Sequence, residues 1–193
     1  MEVFAVEGFP ETKLVLALFK NVKNARDLKT KHLNRVALLD AGLLLSVFQV
    51  RAAAAMAVEK EKAGKMKTRS LPSEMVWSLS GSKNITGTLQ TFCVQEVDDA
   101  DLLIAAIGMD EEDLRSILAD VKGEPCGLKM LGQGLTGVIG GDGGGQKKQQ
   151  GLGEGADGKL RERLKKLYKI NEEELAINSL EDCVVMRMAV KDH

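Results

Sequence analysis

Apolar residues along the chain switch between two spacings, and the switches mark its elements. Val3 to Val6 and the run Leu14-Val15-Leu16-Ala17-Leu18-Phe19 are short and apolar, separated by Gly8, Pro10 and the polar Glu11-Thr12 pair. This is the pattern of two neighbouring strands, the second buried on both faces. From Asn24-Ala25-Arg26-Asp27 onward the apolar positions widen to Leu28 and Leu33, which predicts a short amphipathic helix with a basic exposed face. Ser46 to about Lys62 is alanine-rich, with Val47, Val50, Ala54 and Val58 near one face, a charged end from Glu59 to Lys62, and Gly64 as a stop. Its small side chains let another backbone come close, so this helix belongs at the centre of the domain.

Two further helices are predicted, Pro72 to Ser80 with Ser70 as cap and Asn84 to Cys93, with Gly81 and Ser82 between them. Asp101 to Ile107 reads as a third buried strand ended by Gly108. Asp110, with Asp113 three residues later, then caps a helix carrying Leu114, Ile117, Leu118 and Val121. Between Gly132 and Gly158 nearly every second residue is glycine and apolar periodicity disappears, which predicts a flexible insertion. Helix resumes over Lys159 to Lys169, and Ile177, Leu180, Cys183, Val184 and Met188 fall at helical spacing near the end. The mixture gives an α/β fold: a single domain over residues 1–193, a small mixed β-sheet flanked by several helices, and a disordered Gly-rich insertion at 132–158.

Composition changes this picture in a few respects. A length of 193 residues suits one core, and 4% aromatic content makes that core aliphatic. The formal net charge of −1 provides no overall field for nucleic acid, so any RNA contact has to come from a local patch. Cys93, Cys126 and Cys183 are widely spaced and form no CxxC pair, as expected of free thiols in a reducing compartment. With neither a basic leader nor a membrane-length apolar run, a cytosolic protein without membrane attachment is expected, and Asn84 of the Asn84-Ile85-Thr86 sequon reads as a helix cap.

The tract Gly140-Gly141-Asp142-Gly143-Gly144-Gly145 runs into Gln146-Lys147-Lys148 and not Gly-Lys-Ser/Thr, so it fails as a phosphate loop. With only His32 and His193, no histidine base or zinc set is evident. The acidic runs Glu111-Glu112-Asp113 and Glu172-Glu173-Glu174 sit where helices start and suit the macrodipole there. No catalytic residue, metal or cofactor is therefore expected, although an enzyme using carboxylates or Cys93 remains a competing reading. Lys60, Lys62, Lys65, Lys67 and Arg69 crowd one helix end and the loop after it, either as an RNA-contacting patch or as a solvated surface diluted by Glu59 and Glu61. Arg161, Arg163, Lys165 and Lys166 form a second basic group on a helix whose Leu160, Leu164 and Leu167 face a core. The C-terminal stripe either closes the core or leaves part of itself for a partner helix.

Three segments together, KLVLALFKNVKNARDL at Lys13 to Leu28, GKMKTRSLPSEMVWSLSGSKNITGTLQTFCV at Gly64 to Val94 and INSLEDCVVMRMAVKD at Ile177 to Asp192, resemble the PRPK-binding protein family. Its members are the small kinase-binding subunit of the KEOPS, or EKC, complex. The resemblance implies a protein without catalytic activity of its own that binds the small atypical kinase/ATPase of that complex, in cytoplasm and nucleus. It also implies help in forming threonylcarbamoyl-adenosine next to the anticodon, by weak binding of the tRNA acceptor end inside the complex. On this basis Lys65, Lys67 and Arg69 are the expected RNA contacts, and Leu180, Val184, Arg187 and Met188 the expected kinase contacts. An RNA-binding module acting without the kinase is the alternative. The glycine tract departs from the family's compact pattern and leaves the local chain path open there.

Overall fold

In the computed structural model, the described residues are 1–97, 99–132 and 157–192. The first two strands are β1 (Glu2–Val6) and β2 (Phe9–Val22). They are joined through Glu7-Gly8, where Gly8 adopts a φ of +78° that costs glycine nothing. Then follow α1 (Ala25–His32), β3 (Ala37–Asp40), α2 (Val47–Lys62), α3 (Leu71–Ser78), α4 (Ile85–Phe92), β4 (Ala100–Ile107), α5 (Glu111–Ala119), β5 (Glu124–Cys126), α6 (Asp157–Tyr168), α7 (Glu172–Leu175) and α8 (Leu180–Ala189). Ser70 and Asn84 cap α3 and α4 as expected, and Ser46 caps α2, each side-chain oxygen accepting from a backbone N–H of the first turn.

The sheet has the order β1-β2-β4-β3, with β5 also on β2. β1 and β5 share one edge of the long β2, β1 along Phe9–Leu16 and β5 along Leu18–Lys20, while β4 takes the other edge. Where a mixed sheet was expected, these pairings are all antiparallel. The reason lies in the connection: β3 ends at Asp40, opposite Leu102 at the start of β4, so α2, α3 and α4 leave and re-enter the sheet at the same end.

Both faces of the sheet are covered, which explains why the strands read as unbroken apolar runs. Leu14, Leu16, Leu18, Leu39, Leu103 and Ala105 point into the larger core, beneath α2, α3, α6 and α8. Val15, Ala17, Phe19, Leu38, Leu102 and Ile104 point the other way, beneath α1 and α5. Ala53, Ala54 and Ala57 of α2 are fully buried, so the alanine-rich helix is central, as its small side chains predict.

Some readings of local sequence do not survive. β3 and β5 went unseen, being four and three residues long. Asp110 stands at the N-cap of α5 without a side-chain cap bond, and Asp113 pairs instead with Arg35 at 2.7 Å. Ile177 precedes the last helix and is exposed, because Ser179 and Asp182 form a capping box that starts α8 at Leu180. Apart from its ends, the Gly132–Gly158 tract lies outside the described residues.

Candidate functional site

α2 stops at Lys62, Gly64 turns the chain with a φ of +64°, and the six residues from Lys65 to Ser70 reach the cap of α3 without regular structure. Backbone donors in such a segment need partners from elsewhere. They find Glu74, a fully buried carboxylate in the first turn of α3. Its Oε2 accepts from the Lys67 N–H at 2.9 Å, the Thr68 N–H at 2.8 Å and the Thr68 hydroxyl at 2.8 Å. The other face of the carboxylate meets the Lys60 ammonium, 3.8 Å away. That ammonium also lies over the Trp77 ring, 4.5 Å from its centre, and the buried Lys191 ammonium lies over the same ring at 3.8 Å while donating to the Trp77 carbonyl.

This arrangement sorts the five cations that the sequence crowds together. Lys60 is turned inward by Glu74 and Trp77. Lys62 is held by Glu11 and lies 4.6 Å over the Phe9 ring. Lys65, Lys67 and Arg69 are exposed and enter no ion pair among the described residues. Lys65 and Lys67 stand on the rim of an open groove of about 780 Å³ whose apolar wall includes Met56, Met66 and Ala189.

The second basic group is built differently. Lys165 is tied to Glu162 at 2.7 Å and to Glu172, bonds that raise its pKa and hold the charge in the fold, while Leu164 and Tyr168 of the same helix are buried. The Tyr168 hydroxyl donates to the Leu79 carbonyl and accepts from Gln49 Nε2 at 2.9 Å, fastening α6 to α2 and α3. Burial raises the pKa of that hydroxyl, which keeps its proton in place as the donor.

α8 packs beside α2: Ser46 at the start of α2 donates to Glu181, and Met56 and Ala189 near the other ends line the same groove. Its stripe therefore faces inward. Leu180, Val184 and Met188 are buried in the core, with Val184 at 0% exposure. The Arg187 guanidinium donates to the carbonyls of Tyr168 at 3.3 Å and Lys169 at 3.4 Å and to Glu174, closing the end of α6. These four positions hold the helix in place; Leu180, Val184 and Met188 present no free surface, whereas the Arg187 side chain stays about a third exposed. The outward apolar residues here are Met186 of α8 at 54%, Val190 just after it at 55% and Phe48 of α2 at 56%.

A family model described as kinase binding protein CGI-121 matches residues 19–192. The chain belongs to this family. The zebrafish EKC/KEOPS complex subunit TPRKB is 31% identical over 97% of this chain and 95% of its own length. The EKC/KEOPS complex subunit CGI121 of Yarrowia lipolytica is 33% identical over 53% of this chain and 64% of its own. That of Candida glabrata is 27% identical over 65% and 73%.

In this member of the family, the groups that an enzyme reading would draw on are placed as follows. Cys93 is buried and its desolvation pushes the thiol pKa up, the reverse of an activated nucleophile. Glu172 to Glu174 open α7, where Glu174 completes a capping box with Asn171. His32 is buried against Asp120, with Nε2 2.9 Å from Oδ2, and clasps α1 to α5. That bond is the main cause of the lowered Asp120 pKa. Sequence reasoning missed Glu74. The available signal was one carboxylate in Leu71-Pro72-Ser73-Glu74-Met75-Val76-Trp77, a helix otherwise apolar enough to be buried.

Proposed function

We propose that this chain is a non-catalytic subunit of an EKC/KEOPS-type assembly, binding its protein kinase through one surface and tRNA through another. It acts in cytoplasm and nucleus and assists threonylcarbamoyl-adenosine formation without performing it. Membership of a family described as kinase-binding, and relatives named as EKC/KEOPS subunits, support the partner. Support for the RNA role rests on one observation. In a chain of net charge −1, Lys65, Lys67 and Arg69 stay exposed and unpaired among the described residues, beside a groove with an apolar wall.

The kinase contact is assigned to the outer faces of α2 and α8. Phe48 of α2, Met186 of α8 and Val190 just after α8 are large, apolar and more than half exposed, a composition suited to a protein interface. Aspartate at Phe48 or Met186 is expected to abolish co-purification with the kinase while leaving thermal unfolding unchanged. Retained co-purification would move the contact elsewhere.

For RNA, the measurement is tRNA affinity over a salt series for wild type and the Lys67→Glu and Arg69→Glu proteins. Each lost phosphate contact lowers the slope of log K against log salt by roughly 0.7 to 0.9. An unchanged slope would remove the loop from the RNA reading. Equal affinity for intact tRNA and tRNA trimmed at the acceptor end would contradict recognition of that end. So few contacts make weak binding on their own, effective mainly when the assembly supplies other contacts with the same tRNA.

A further inference from the structure

Resting on the RNA reading of the loop, we infer that Glu74 is the positioning residue of that contact: a buried carboxylate that sets the loop in place so that Lys67 and its neighbours face the ligand already ordered. The observation is the convergence of the Lys67 N–H, the Thr68 N–H and the Thr68 hydroxyl on one oxygen of a side chain with no solvent exposure.

Three donors meet on one oxygen away from water, where no solvent competes for the bonds. Glu74 lies just inside the N-terminus of α3, and Lys60 stands on its other side. The side chain thus has work to do beyond capping. The cap of α3 is already Ser70, whose hydroxyl accepts from the Ser73 N–H, so Glu74 reaches back past the cap into the preceding loop.

Two consequences bear on recognition. Without the anchor, Lys65 to Arg69 would have to be ordered by the ligand itself, and each residue fixed on binding weakens affinity. Glu74 also pairs with Lys60, which holds that cation against α3 at the wall of the groove and leaves the exposed charges to the loop. Three charges in a row on a fixed loop follow a phosphate backbone, whereas a floating cluster binds any polyanion.

The experiment compares tRNA affinity, salt slope and amide exchange at Lys67 and Thr68 in five proteins: wild type, Lys67→Glu, Glu74→Ala, Glu74→Gln and Thr68→Val. All are measured at a temperature where each is folded by circular dichroism. Glu74→Ala is expected to exchange both amides faster and to bind tRNA about tenfold more weakly, the scale of losing one or two hydrogen bonds. Glu74→Gln keeps a carbonyl oxygen as acceptor and is expected to restore slow exchange and bring affinity within about threefold of wild type. Thr68→Val keeps both amide donors and removes the hydroxyl with its contacts to Glu74 and the Ser70 carbonyl, and is expected to weaken binding about threefold.

A purely structural Glu74 would lower the melting temperature of the alanine variant and leave affinity below that temperature unchanged. That result overturns the inference, as does wild-type binding by Thr68→Val together with fast exchange. If Glu74→Ala does not fold, the Gln and Val variants decide the matter on the same readouts. Failure of the RNA reading itself is distinguishable, because Lys67→Glu would then bind like wild type.

Discussion

The loop after α2 and the helix α8 both carry side chains suited to meeting a partner, and the fold treats them in opposite ways. In the loop, an anchor on one buried acceptor leaves the cations Lys65, Lys67 and Arg69 outside. In α8 the regular apolar stripe is drawn inward, so that Leu180, Val184 and Met188 complete the core and the outward face is left to Met186 and Val190. Periodic apolar residues are claimed by packing, because burying each is worth about 1.5–3 kcal/mol. Residues that packing cannot use, the charges and the apolar positions off the stripe, are the ones left for recognition.

The sharpest way to break this contrast is to charge the two faces of α8 in turn. Val184→Asp is expected to cost about 4 kcal/mol or more, since a carboxylate would be buried without a partner, whereas Met186→Asp should lie within about 0.5 kcal/mol of wild type. Denaturant unfolding of the two proteins would show it, and comparable losses would end the distinction between an inner and an outer face. Next in size is Tyr168→Phe. It strands the Leu79 carbonyl and the Gln49 amide in the core that α6 and α8 share, with an expected loss of about 1–3 kcal/mol in the same measurement.

Helix caps give a smaller contrast. Asn84→Ala should cost about 1 kcal/mol because the side chain accepts the Gly87 N–H at 3.0 Å, while Asp110→Ala should cost little because its side chain makes no such bond. On the loop side, Lys67→Glu should leave thermal unfolding within about 0.5 kcal/mol of wild type while changing RNA affinity. A large stability loss would mean that the exposed charge belongs to the fold.

The smallest effect expected is one of pH. Hydrogen bonding to Arg187 is the main cause that lowers the Glu174 pKa, so its contribution to stability is complete above the ordinary glutamate pKa and fades as pH falls through the lowered value. Arg187→Ala should therefore make the acid side of the stability profile shallower, as followed by unfolding midpoints from neutral pH down to acid. An unchanged profile would assign Arg187 to its carbonyl contacts alone.

How legible each element was depended on whether its signal is local. β2 and β4 stood out because both faces of the sheet are covered and every position is apolar. α3 and α4 were visible from their caps, since a serine or asparagine before a periodic segment acts within four residues, and α2 from its alanine-rich apolar face. β3 was invisible because Ala37 to Asp40 is too short to show a period and becomes a strand only through pairing with Leu102 to Ala105. β5 contains Pro125 and exists by borrowing the part of the β2 edge beyond β1. In the candidate site, Lys65, Lys67 and Arg69 were readable as a charge cluster, and the pairing of Lys60 with Glu74 and of Lys62 with Glu11 was not.

By itself, the sequence determined what acts over a few residues: the apolar runs, the caps, the basic loop, and the family resemblance carried by Gly64 to Val94. Tertiary structure alone decided which charges are paired. Glu74 meets Lys60 only because α2 and α3 pack together, and Lys62 meets Glu11 only because β2 passes the end of α2. Such pairs join residues up to tens of positions apart, and their free energy depends on burial and approach, quantities that exist only once the chain has folded.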